Sequence, residues 1–208
     1  MEEVLDLYEQ PYDPLLPMVC FDERPCQLIG EVKDPLPVKP GQVGKIDSHY
    51  ERRGICYVLM AFEPLGGWRE VQVTERRRGR EFAHSMRRLA EEIYPEAERI
   101  RVVLDNLSTH TAAAFYETFA PEQARRLARK FEFIYTPVHG SWLNMVEIEI
   151  SVLVRQCLKR RLPDIETLQR ETAAWTAERN RLGASVEWRF TTADARIKLR
   201  SLYPSEKP

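Results

Sequence analysis

The chain has 208 residues, 43% of them hydrophobic and 30% charged, and its formal net charge is −1. This is an ordinary globular composition, long enough for one domain with a real core and a peripheral extension. No apolar run reaches the length of a membrane span, and the acidic opening MEEVLDLYEQ does not read as a secretory signal. In chain order, residues 1–17 contain YEQPYDPLLP and read as an extended, proline-rich lead-in. PMVCFDE reads as a strand. A loop follows, marked by Pro35, Pro37, Pro40, Gly41 and Gly44. ICYVLMAFEP and WREVQVTE read as the two strands of a hairpin turning at Glu63–Gly67. EFAHSMRRLAEEIY has helical periodicity, and RIRVVLD is a short apolar strand of the kind buried on both faces. HTAAAFYETF and EQARRLARKF read as helices and FEFIYTP as a strand. SWLNMVEIEISVLVRQCLKRR reads as one long helix and DIETLQRETAAWTAERN as another. The order predicts a five-stranded mixed α/β sheet with helices on both faces. Its first three strands are antiparallel, and its last two are parallel and joined by right-handed crossovers.

The four cysteines, Cys20, Cys26, Cys56 and Cys157, form no CxxC pair and no zinc-type spacing with histidine. They read as reduced cysteines, mostly in the core. No HExxH or His-x-His spacing appears, so the lone histidines give no case for a zinc enzyme. Net charge does not point to DNA, but the basic residues are clustered. Candidate phosphate contacts are Arg76, Arg77, Arg78 and Arg80, then Arg125 and Arg126, then Lys159, Arg160 and Arg161. Each cluster alone reads equally as a solvated helix face.

Three acids stand out. Asp22 interrupts an apolar strand, where a buried carboxylate is costly unless paired or bound to metal; alternatively it faces solvent. Asp105 ends a strand, where ligand sites of open sheets gather, or it merely shapes the turn before a helix capped by Ser108 or Thr109. Glu147 opens a helix three residues after Asn144, the spacing of a capping box. Its neighbour Glu149 lies about 200° around the helix, so only one of the two can face a shared site. Oxygen ligands from well-separated acids are what Mg²⁺ takes.

Together the motifs FDE (21–23), LDNLSTH (104–110) and TPVHGSWLNMVEIEISVL (136–153), with ERRGICYVLMAFEPLGGWREVQVTER (51–76), resemble the DDE transposases. The likeness is to the bacterial insertion-sequence branch of the Tc/mariner superfamily. It implies a ribonuclease-H-like, integrase-type fold and an enzyme whose catalytic and metal-binding acids are Asp22, Asp105 and Glu147, with Glu149 left to solvent or a salt bridge. It also implies two Mg²⁺ (or Mn²⁺) ions per site. The partners implied are double-stranded DNA, as transposon ends and a TA-containing target, and a second copy of the chain in the DNA complex. No membrane is involved, and the setting is cytoplasmic, nucleoid-associated when on DNA. The 41 residues between Asp105 and Glu147 exceed the commonest spacing in that superfamily, and the EQARRLARK helix accounts for the excess as an insertion. Relatives carry helix-turn-helix modules before the catalytic domain. The expected division is therefore a lead-in (1–17), a catalytic domain (18–162) and a helical extension of it (163–208), without that upstream module. A ribonuclease-H-like nuclease without transfer activity, or a non-catalytic DNA-binding remnant, are the rival readings.

Overall fold

A computed structural model describes residues 1–33, 40–41 and 48–203 of the protein; Pro35, Pro37 and Gly44 of the expected loop lie outside them. Five strands, β1 (Met18–Glu31), β2 (Tyr50–Glu63), β3 (Trp68–Thr74), β4 (Ile100–Leu104) and β5 (Phe131–Tyr135), form one sheet in the order β3-β2-β1-β4-β5. β1–β2 and β2–β3 pair antiparallel, and β1–β4 and β4–β5 pair parallel, as the element order predicts. β1 runs well beyond the PMVCFDE segment, because Arg24–Glu31 continue the ladder with β2 through a bulge at Leu28/Ile29.

Helices cover both faces. On one lie α1 (Glu2–Tyr8), α5 (Val146–Leu153), α6 (Ile165–Arg181) and α7 (Thr192–Lys198), whose buried residues share a core with Cys20, Met60 and Val103. On the other lie α2 (Gly79–Arg88), α3 (Ala113–Thr118) and α4 (Pro121–Lys130), around Phe21, Phe82, Leu104 and Phe115. α4, the segment read as an insertion, packs Ala124 and Leu127 into that second core. All four cysteines are free, and three are buried.

Two expectations need correction. Residues 2–8 of the lead-in are a helix. Val4, Leu5, Leu7 and Tyr8 are buried, and the Tyr8 hydroxyl donates to Leu143 O at 2.7 Å, so this helix sits beneath the segment leading into α5. The long helix expected over 141–161 is broken into a 3-10 turn (Ser141–Leu143), α5 and a π-helical turn (Val154–Leu158). The break at Asn144 has a physical cause. Its side-chain amide donates to Phe21 O of β1 at 2.8 Å, which fixes this residue in an extended conformation outside the helix.

α5 is also tied to the sheet from its far side. Glu149 is fully buried, and Arg179 of α6 grips it with two hydrogen bonds of 2.9 and 2.8 Å. Arg69 of β3, likewise without exposed surface, places Nε 3.1 Å from Glu149 Oε1 as an ion-pair contact without hydrogen-bond alignment. The turn before Arg69 needs glycine. Gly67 has φ +67°, and a Cβ there would meet Gly183 O at 2.7 Å.

Candidate active site at the end of the sheet

β1 and β4 set the site by register. Cys20 of β1 pairs with Val103 of β4, the last pair of that ladder; Asp22 lies two residues further along β1, and Asp105 follows directly on the end of β4 at Leu104. On β1 a step of two keeps the Asp22 side chain on the face of Cys20, the one α5 covers. Glu147 lies in the first turn of α5, whose start is fastened to β1 by the Asn144–Phe21 bond next to Asp22.

Asp22 is 8% exposed and, among the described residues, accepts only the Glu23 N–H, on Oδ1 at 2.7 Å. Burial pushes its carboxyl up to about 7; the Glu23 N–H and the charge of His110 oppose this, while the negative charges of Asp105 and Glu147 add to it. Asp22 thus senses the other two acids. Asp105 is about one-third exposed; its Oδ1 accepts the Leu107 N–H at 3.1 Å and faces His110 Nδ1 at 2.8 Å. Glu147 is exposed, and its carboxylate makes no hydrogen bond or ion pair with a described residue. The capping-box alternative does not hold, because the Asn144 N–H bonds Ser141 O and the helix begins without a side-chain cap.

Among the described residues, no three His, Cys, Asp or Glu side chains are already gathered as a metal cage. The charge balance nonetheless fits a cation. The buried Asp22 carboxylate feels the charge of two others, and Asp22 and Asp105 each keep one oxygen that no described residue engages. Hard divalent cations take such oxygens, which makes Asp22, Asp105 and Glu147 the candidates to hold one.

A model of the DDE superfamily endonuclease family matches residues 17–169, most of the chain and all three acids. The chain belongs to this family. Membership implies dependence on a divalent metal. No protein of curated function matches this DDE endonuclease in sequence. Among solved structures it is similar to the Mos1 transposase paired-end complex with left transposon end, at TM-score 0.56 and 16% identity over 88% of this chain. The Mos1 mariner paired end complex with Mn gives TM-score 0.56 and 17% identity, and a pre-cleavage Mos1 transpososome 0.53 and 16%, again over 88% of this chain. At such identities the likeness is one of fold, and it supports the ribonuclease-H-like reading of the sheet. The chain spans only about half the length of these structures, 55–56%.

The basic clusters of the DDE endonuclease divide. Arg76, Arg77 and Arg78 are exposed between β3 and α2 and Arg80 is exposed in the first turn of α2, and Arg77 Nη1 approaches Glu23 Oε1 at 3.6 Å, next to Asp22. Arg126 instead pairs with Glu91 at 2.8 Å, Arg160 with Glu171 and Arg161 with Glu31, while Arg125 and Lys159 are exposed without an ion pair to a described residue. His110, one of the lone histidines that give no case for a zinc enzyme, is fully buried with a carboxylate at each ring nitrogen, Asp105 at 2.8 Å and Glu23 at 3.1 Å. Burial alone would lower its pKa, but Glu23 and then Asp105 outweigh that and hold it above the ordinary value. Its place inside the LDNLSTH motif was the available clue.

Proposed function

We propose that this chain is the catalytic part of a transposase, which nicks DNA at the ends of a mobile element and joins the freed 3′-hydroxyl to target DNA. What supports the reading is Asp22 on β1, Asp105 directly after the adjacent parallel strand β4, and Glu147 in the first turn of α5, with the charges of Asp105 and Glu147 both felt at Asp22. In this reading Asp22, Asp105 and Glu147 hold two Mg²⁺ or Mn²⁺ ions. Such a pair, when bound, supplies a clamp for the attacking and leaving oxygens of an in-line displacement and lowers the pKa of water.

The chain's own residues do the positioning. Asp22 and Asp105 each have one oxygen held by a backbone N–H, which orients the other. Asn144 fixes the start of α5 against β1 and so sets where Glu147 projects. Exposure of Glu147 and partial exposure of Asp105 leave this end open to a DNA strand. Arg76, Arg78 and Arg80 offer exposed charge for phosphates, and such contacts position DNA without reading its sequence. TA steps kink easily, so a TA target is cheap to bend into the cleft. The transposon ends, the TA target, a homodimer on DNA and a bacterial cytoplasmic setting belong to this proposal. So do the boundaries at 17/18 and 162/163, with 163–208 as an extension of the catalytic domain; Leu168 and Ala195 share its core.

A strand-transfer assay with a pre-cut element end and supercoiled target tests the reading against a plain nuclease. Joined product with Mg²⁺ or Mn²⁺ is expected. Nicking without joining supports the nuclease, and no metal-dependent reaction of either kind supports a non-catalytic remnant.

A further inference from the structure

The turn after β4 holds Asp105 unsymmetrically. Oδ1 takes both donors, Leu107 N–H at 3.1 Å and His110 Nδ1 at 2.8 Å, and Oδ2 takes none from the described residues. An ionised carboxylate only accepts, so in the tautomer that carries its proton on Nδ1 the His110 ring donates to Asp105 Oδ1. The ring itself has no freedom to drift. Glu23 Oε2 lies 3.1 Å from Nε2, Phe82 packs at 5.0 Å between centroids and tilted by 34°, and the Phe21 edge meets it at 5.5 Å. Its backbone carbonyl accepts the Tyr135 hydroxyl at 2.8 Å.

We propose that His110 is a positioning residue for the metal centre, bracing Asp105 through Oδ1 so that Oδ2 alone is presented to the cation, with Glu23 as the anchor of the brace. The proposal rests on the reading of Asp105 as a metal ligand. A ligating carboxylate whose free rotation is stopped by an outer partner binds metal more tightly, and loss of such partners costs about 10–100-fold in affinity. A histidine serving only as filler between Phe21 and Phe82 makes no such contribution.

Two polar isosteres separate these roles. In His110→Asn the amide stands where Nδ1 is and can still donate to Asp105. In His110→Gln it stands nearer Nε2 and faces Glu23. Mn²⁺ binding to each DNA-free protein is measured by electron paramagnetic resonance titration, with melting temperature in EDTA alongside. The expected result is affinity within a few-fold of wild type for Asn and about 10–100-fold weaker for Gln, at similar melting temperatures. Equal affinity in the two variants, whether wild-type or weakened, overturns the brace. Wild-type protein that binds no Mn²⁺ overturns instead the metal-site reading beneath it. Glu23→Gln gives a second arm should a His110 variant fail to fold. It removes the anchor while leaving Asp105 and His110, and is expected to weaken Mn²⁺ by about 10-fold; unchanged affinity counts against the proposal.

Discussion

Asp22→Asn should make the metal-free protein more stable while disabling it. Asp22 is buried beside the like charges of Asp105 and Glu147, and its carboxyl is pushed from 3.8 to about 7, first by burial. A rise of about 3 units at 1.36 kcal/mol each amounts to about 4 kcal/mol. The sign follows from proton linkage. Below about pH 4 folded and unfolded chains both hold the proton, and the site costs nothing. Between about pH 4 and 7 the unfolded chain ionises first, so the folded state loses stability as pH rises through this window and the full penalty stands at pH 8. Asparagine removes the charge at nearly constant volume. For a chain of this length about 2–4 °C accompany each kcal/mol, so calorimetry at pH 8 in EDTA should show a rise on the order of 10 °C, shrinking towards pH 4. A divalent cation at 100 times its Kd should return about 2.7 kcal/mol to the wild type and much less to the variant. An Asp22→Asn protein melting at or below the wild-type temperature at pH 8 would refute the reasoning.

Glu149→Gln should lower stability by about 3–5 kcal/mol, because it strips the counter-charge from buried Arg69 and from Arg179; a denaturant melt measures it, and a change under 1 kcal/mol would contradict the packing described. Arg76, Arg78 and Arg80 to Ala should each reduce the salt slope of DNA binding by about 1, whereas Arg126→Ala and Arg160→Ala, whose side chains already face Glu91 and Glu171, should change it less. Equal slopes across the five variants, measured by fluorescence anisotropy, would show that the exposed cluster has no special part in holding phosphate.

The five strands and their directions were legible because they follow from elements whose periodicity is local. The apolar run of RIRVVLD and the hairpin turn at Glu63–Gly67 each announce themselves within ten residues. The first helix was hidden by Pro11, Pro14 and Pro17, although Val4, Leu7 and Tyr8 already carry the i, i+3, i+4 spacing. What escaped the sequence depends on distant partners. Asn144 breaks its helix because Phe21 O lies within reach, and nothing near residue 144 encodes that. Of the two places the sequence offers Glu149, the salt bridge holds; what it does not show is the partners, 80 residues before it and 30 after, and the complete burial. His110 matters through Glu23, 87 residues away.

The most direct test of the central claim is nicking of supercoiled DNA by the wild-type chain with Mg²⁺, with Mn²⁺ and with EDTA, beside Asp105→Asn and Glu147→Gln. Both replacements sit at side chains with exposed surface and should leave the melting temperature nearly unchanged. The account predicts cation-dependent nicking by the wild type and none above background from either variant. Wild-type rates from folded Glu147→Gln protein would contradict it and remove Glu147 from the site.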